Sequence, residues 1–165
     1  VDTNVAVTAN GKNNSATIGC VALSARSLQD VIKKGHVFID DGGEIVAEYR
    51  NNMSAKGEPG PGDVFLKWLL TNEWSGKRVT RVEITPIAEI NRKFDEVPAL
   101  PSGTLIDPSD QKFIAVARAA KAQPHIIQAL DSKWWGWKDE LKMFGVRIVF
   151  LCEKEIMALH EKKAG

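Results

Sequence analysis

The stretch 125-HIIQALDSKWWGWKDELKMFGVRIVFL-151 decides the fold class. His125 to Leu130 is a short apolar run and predicts a strand. Trp134, Trp137, Leu141 and Phe144 recur at three- and four-residue spacing, which predicts a helix that stops at Gly145. Val146 to Leu151 then predicts a final buried strand. Strand, helix, strand is the unit from which parallel sheets are built. Asp131 closes the first of these strands, at the edge where open α/β sheets bind their ligands.

The same alternation extends outward. Asp107 to Ala122 predicts a helix with Phe113, Ile114, Ala117 and Ala120 on its buried stripe. Asp107-Pro108-Ser109-Asp110 reads as its start, with a cap, a proline and an acid suited to the helix dipole. Ala16 to Lys34 predicts an amphipathic helix closed by Gly35, and His36 to Ile39 a strand. Ile45, Val46, Tyr49 and Met53 predict a helix that carries Glu48. The run 57-GEPGPG-62 breaks it and reads as a flexible connection or lid, with a short helix from Val64 to near Trp74. Val79 to Ile84 alternates like a half-buried strand or edge hairpin, and Phe94 to Gly103 is a Pro-rich connection. Lys154 to Lys163 predicts a terminal helix. At the other end, 1-VDTNVAV-7 reads as the end of a strand and a turn, the body of that strand lying ahead of Val1. The expected fold is a single domain over residues 1–165, a three-layer α/β/α sandwich around a mostly parallel sheet.

Bulk properties exclude several classes. A net charge of +1 rules out a polybasic coat for nucleic acid, so any such contact must come from a local patch. No apolar run reaches the ~18 residues of a membrane span, and no signal peptide is visible. Cys20 and Cys152 lie far apart with no metal-ligand spacing. They predict buried free thiols and a reducing, cytoplasmic setting. No phosphate loop, nucleophile elbow or paired-histidine motif is present.

Four acids, each following or beside an apolar run, are the candidate site: Asp2 in VDTNV, Glu48 in IVAEY, Asp110 in DPSDQKFIAVA and Asp131 in IIQALDS. Glu44 competes with Glu48, and Asp107 with Asp110, although capping explains Asp107 better. Thr3 and Asn4 are placed to orient Asp2. Acids gathered without matching bases call for a hard cation, Mg²⁺ or Mn²⁺, and for chemistry on phosphate. Trp134 and Trp137 are expected in the core. Trp135 is expected to be exposed, ready to stack on RNA or a partner. Arg50, Lys112, Arg118, Lys133 and Lys138 flank the acids and are candidate phosphate contacts.

Taken in order, VDTNV, IVAEY, DPSDQKFIAVA and ALDSKWW ahead of VRIVFL resemble the PIN-domain nucleases over nearly the whole chain. The resemblance implies a three-layer α/β/α ribonuclease that uses Mg²⁺ or Mn²⁺ and leaves 5′-phosphate and 3′-hydroxyl ends. It implies that Asp2, Glu48, Asp110 and Asp131 are the metal-binding acids. It also implies RNA as substrate, with an antitoxin and a homodimer among the partners, since many such proteins are VapC-like toxins. Lys133 departs from the pattern, because the family often carries a further acid there, and this counts against a full second metal site. Two other readings stay open. One is a PIN-like scaffold that binds RNA or protein without cutting. The other is a haloacid-dehalogenase-like phosphatase, disfavoured because Asn4 stands where its second acid belongs.

Overall fold

The computed structural model describes residues 1–165. It is an α/β molecule of seven helices and two parallel two-stranded sheets. In chain order the elements are α1 (Thr3–Ala9), α2 (Ile18–Lys34), β1 (Val37–Asp40), α3 (Glu44–Asn52), α4 (Pro61–Asn72) and β2 (Val79–Val82). They continue with α5 (Gln111–Ala119), β3 (Ile126–Gln128), α6 (Ser132–Met143), β4 (Ile148–Phe150) and α7 (Glu153–Ala164). β1 pairs with β2, Val37 opposite Val79, and β3 pairs with β4, Ile126 opposite Ile148. The expected alternation and parallel pairing are therefore present, but as two separate pairs rather than one central sheet. Helix α5 packs on both β1 and β3 and so spans the two pairs.

One continuous core of 36 buried residues runs through the molecule. Its largest enclosed side chains include Trp134, Tyr49, Phe65, Leu28 and Ile39. Each element buries the face its periodicity marks. Ile45, Val46 and Tyr49 do so on α3, Phe65, Leu66 and Leu69 on α4, and Trp134, Trp137 and Leu141 on α6. No helix is long and apolar enough to cross a membrane.

Five local expectations are corrected. Residues 3–9 form helix α1, not a strand end and turn, because the Asp2 carboxylate accepts from Asn4 N at 2.7 Å and caps a helix whose Val5, Ala6 and Ala9 are buried. Residues 107–110 form a turn, and the helix starts only at Gln111. β4 is a half-exposed strand rather than a buried one, with Val149 turned to solvent. Cys20 and Cys152 are joined in a disulfide with 5.4 Å between their Cα atoms, not left as free thiols. The GEPGPG segment is tied down rather than loose. Asp63 accepts from Ser54 N and Gly60 N at 2.7 and 2.8 Å, and Asn10 Oδ1 accepts from Gly62 N at 2.7 Å.

Candidate active site

The site is assembled where β3 ends and where α1, α3, α5 and α6 present their first turns or flanks. Asp2 is placed by two backbone bonds. Its own N–H donates to Ile127 O at 3.0 Å, and its Oδ1 caps α1. Asn4 contributes differently from expectation. Its backbone N–H, not its side chain, holds Asp2, while its side-chain oxygen accepts from Leu130 N at 2.8 Å and ties α1 to the end of β3. Thr3 Oγ1 is buried with no partner and does not orient Asp2. Asp131 caps α6 through Lys133 N at 3.0 Å. Asp110 occupies the capping position of α5 but makes no capping bond, which leaves its carboxylate free to face the other acids. Glu48 is half-buried on α3 and pairs with the buried Lys112.

The four buried acids of the molecule separate into two kinds. Asp40 and Asp63 are almost fully enclosed, and both oxygens of each accept backbone N–H groups. For Asp40 these come from Glu44 and Ile45, at 2.7 and 2.8 Å. Asp2 and Asp110 are also buried, yet each retains a carboxylate oxygen, Oδ2, without a hydrogen bond. A buried unpartnered carboxylate oxygen is costly, and native folds keep few of them. Asp40 was missed from the sequence. Its signal is a strand-end acid followed by Gly42-Gly43, with Gly43 at φ +81°, which turns the chain straight into α3.

Burial pushes the Asp2 carboxyl up to about 7, with Asn4 N–H opposing and Asp110 and Glu48 adding repulsion. Burial likewise pushes Asp110 up to about 6, opposed by Lys133 and assisted by Asp131 and Asp107. These mutual repulsions place Asp2, Glu48, Asp110 and Asp131 in one electrostatic neighbourhood. Tyr49 completes its floor. Its hydroxyl donates to Val1 O at 2.8 Å, and burial, then Asp2 and Glu48, hold it protonated far above the usual phenol range.

Lys133 is the counter-charge. Its Nζ lies 2.9 Å from Asp107, 3.0 Å from Asp110 Oδ2 and 3.5 Å from Asp131. The contact with Asp110 is an ion pair whose angle makes no hydrogen bond. Burial disfavours the charged ammonium, but the paired acids outweigh it and raise its pKa. The hydrogen bond from Lys133, helped by Ser109, holds Asp107 well below the usual carboxylate range. Asp107 thus acts as the partner of Lys133 and the anchor of a turn, while Glu44 lies exposed at the start of α3.

The donor set fits a hard divalent cation in kind. All ligands would be carboxylate oxygens; Oδ2 of Asp2 and Oδ2 of Asp110 make no hydrogen bond, and that of Asp110 is ion-paired with Lys133. As the side chains stand, no three histidine, cysteine or acidic groups are spaced around one point for an ion. Lys133 supplies the positive charge beside them. Next to Lys133 and Asp107 opens a cleft of about 620 Å³, bordered also by His160 and Lys163.

The other predicted contacts are distributed differently. Trp134 and Trp137 are core, as their spacing implies. Trp135 is not exposed. It packs edge-on against Phe150 at 5.1 Å, with Lys138 above it at 4.6 Å. Arg118 is bound to Glu96 O, and Arg50 is exposed on α3. Lys112 is buried and engaged with Glu48 and Ser109 O, so it is part of the acid cluster rather than a surface contact. Comparison with protein-family models, with characterised proteins and with solved structures finds no match to this chain.

Proposed function

We propose that the protein is a metal-dependent endoribonuclease with a PIN-like active site. The observation that carries this reading is the contrast among its buried acids. Asp40 and Asp63 use both oxygens to hold backbone, whereas Asp2 and Asp110 each keep one buried oxygen without a hydrogen bond, that of Asp110 facing the Lys133 ammonium, in the same electrostatic neighbourhood as Glu48 and Asp131. Bound Mg²⁺ or Mn²⁺ would supply a water activated for in-line attack on a phosphodiester. Asp2, Asp110 and Asp131 would hold that ion, with Glu48 a ligand directly or through water. Lys133, Lys163 and His160 border the cleft and would draw in the phosphate backbone. Lys112 holds Glu48 in place. Through its ion pairs with Asp110 and Asp131, Lys133 takes the charge role that a further acid and a second ion would otherwise share. The sequence resemblance extends the proposal to a toxin acting against RNA, with an antitoxin partner and a homodimer; the cytoplasmic expectation rested on free thiols, and the Cys20–Cys152 disulfide removes that support.

The test is incubation with single-stranded RNA in Mn²⁺, in Mg²⁺ and in chelator. The wild-type chain should cut only with metal. Asp110→Asn should cut at least a hundredfold more slowly while keeping its circular dichroism spectrum. Cleavage by Asp110→Asn at the wild-type rate removes Asp110 from the mechanism.

A second reading is a PIN-like scaffold that binds RNA or protein without cleavage. It is favoured by the two lysines that already pair with the acids, Lys112 with Glu48 and Lys133 with Asp107, Asp110 and Asp131. RNA bound but intact under every metal condition selects it. The dehalogenase-like phosphatase has less in its favour, because Asn4 spends its side-chain oxygen on Leu130 N.

A further inference from the structure

Helix α7 is one wall of the cleft beside the acids, since His160 and Lys163 border it together with Lys133 and Asp107. Little of the helix is buried. Ile156 is its one fully enclosed side chain, with Leu159 partly covered. It packs chiefly on α6, where His160 Nδ1 lies 3.2 Å from Ser132 O. Gly136 leaves room for the His160 ring, because an added Cβ there would stand 3.1 Å from His160 Cε1. A helix of 12 residues does not hold itself in water, so its order depends on what fastens it. Its first turn has no side-chain cap, because Cys152 at that position makes no capping bond.

The fastening is covalent. The Cys152 sulfur is joined to Cys20, in the first turn of α2. Beside it, Thr17 Oγ1 accepts from Cys20 N at 3.1 Å and donates to Glu155 Oε1 at 2.7 Å. That second link is exposed, so water competes for it and it holds weakly. Helix α2 in turn packs on α1 and α4, within the body of the molecule. The disulfide therefore ties the root of a lightly buried helix to the rigid part of the fold. Elements with few buried contacts open at the least cost, so loss of the bond is felt at α7 before any other element.

We propose that the Cys20–Cys152 bond is a redox latch for α7. With the bond closed, α7 stands as a wall of the cleft. A dithiol reductant opens it. One thiolate attacks a cysteine sulfur, and the other cysteine leaves as a thiolate and takes up a proton. The second thiol of the reductant then displaces the first cysteine and closes its own disulfide. Two electrons and two protons pass to the protein, leaving two thiols. Both sulfurs are enclosed, so the reductant reaches them only when α7 lifts. Once freed, α7 detaches from α2 and α6, and His160 and Lys163 leave the cleft. The latch uses none of the acids and stands apart from the nuclease reading. Only its consequence, weaker RNA binding, rests on that reading.

The test compares oxidised wild type, wild type in dithiothreitol, and Cys20→Ser with Cys152→Ser, all in chelator so that bound RNA stays intact. Amide exchange along the chain reads the latch, and fluorescence anisotropy of a labelled single-stranded RNA reads the cleft. Without the bond, α7 amides should exchange within about tenfold of an unstructured chain, while α5 keeps protection on the order of a hundredfold or more. RNA affinity should fall about fivefold or more. If α7 stays as protected as in the oxidised protein, the proposal is overturned. Loss of protection in α5 overturns it too, since a latch leaves the body folded. Release of α7 with RNA affinity unchanged keeps the latch and overturns the cleft as the place where RNA enters. If no form binds RNA, the nuclease reading falls and the exchange of α7 still decides the latch.

Discussion

Asp2 is the residue on which most of the physics converges. Its folded pKa of about 7 lies above the ordinary aspartate value of 3.8, so the folded chain keeps a proton that the unfolded chain releases. Stability must therefore fall as pH rises from about 4 to about 7, and Asp110, raised to about 6, adds to the same slope. Asp2→Asn, neutral at every pH and still able to cap α1, removes that burden. In chelator at pH 8 it should unfold at higher temperature than wild type, by the equivalent of roughly 2–4 kcal/mol. At pH 4 the two should coincide, and thermal melts at both pH values check this. Lys133 gives the complementary prediction. Lys133→Ala strips the counter-charge from Asp107, Asp110 and Asp131, so the metal-free variant should melt lower than wild type. Mn²⁺ should then restore more stability to it than to wild type. An equal Mn²⁺ shift in both proteins would separate Lys133 from the cation site.

At the scale of elements, the junction of α1 and α4 depends on one small residue. Gly62 stands where an added Cβ would lie 2.4 Å from Ala6 O and 2.9 Å from Met53 Sδ. Its N–H is also held by Asn10 Oδ1. Backbone cannot retreat the way a side-chain tip does, so α1 and α4 must separate to admit a methyl group. Gly62→Ala should destabilise the protein by about 2–3 kcal/mol, a range set by overpacking. The same change on the open turn at Gly76 meets no atom within 4 Å but strains a φ of +65°, so its cost comes from backbone alone. Urea titration of the two variants compares them. Because α1 carries the Asp2 cap, Gly62→Ala should also weaken any metal binding, although the residue touches no acid.

For the whole molecule, the disulfide between Cys20 of α2 and Cys152 ahead of α7 closes a span of 132 residues. Long closures restrict the unfolded chain most, by about 4–5 kcal/mol in the chain-entropy account. Reduction, or Cys20→Ser with Cys152→Ser, should lower the thermal midpoint by roughly 10–20 °C, measured with and without dithiothreitol. Both sulfurs are buried, so reduction of the folded protein should be slow and should accelerate under partial denaturation. The core that spans both strand pairs makes the unfolding cooperative, and a single transition by fluorescence and circular dichroism is expected.

What the sequence determined by itself are the elements from α2 onward and their order, α1 being the one it misread. Helix periodicity at 18–34, 44–52 and 132–143, and the β-branched runs at 37–40 and 126–128, are local signals carried by neighbours a few residues apart. The core placement of Trp134 and Trp137 was legible in the same way. Tertiary structure alone decided the rest, because it depends on contacts between residues distant in the chain. Asp2 could not be read as a helix cap, because the burial of Val5, Ala6 and Ala9 on α1 comes from elements distant in the chain. The pairing of Cys20 with Cys152, and of Lys112 with Glu48, has no signature in spacing. Above all, burial sorts the acids. Asp40 and Asp63 look no different from Asp110 in a string of letters, yet only the fold leaves a buried oxygen of Asp2 and of Asp110 without a hydrogen bond and sets a lysine ammonium among their neighbours.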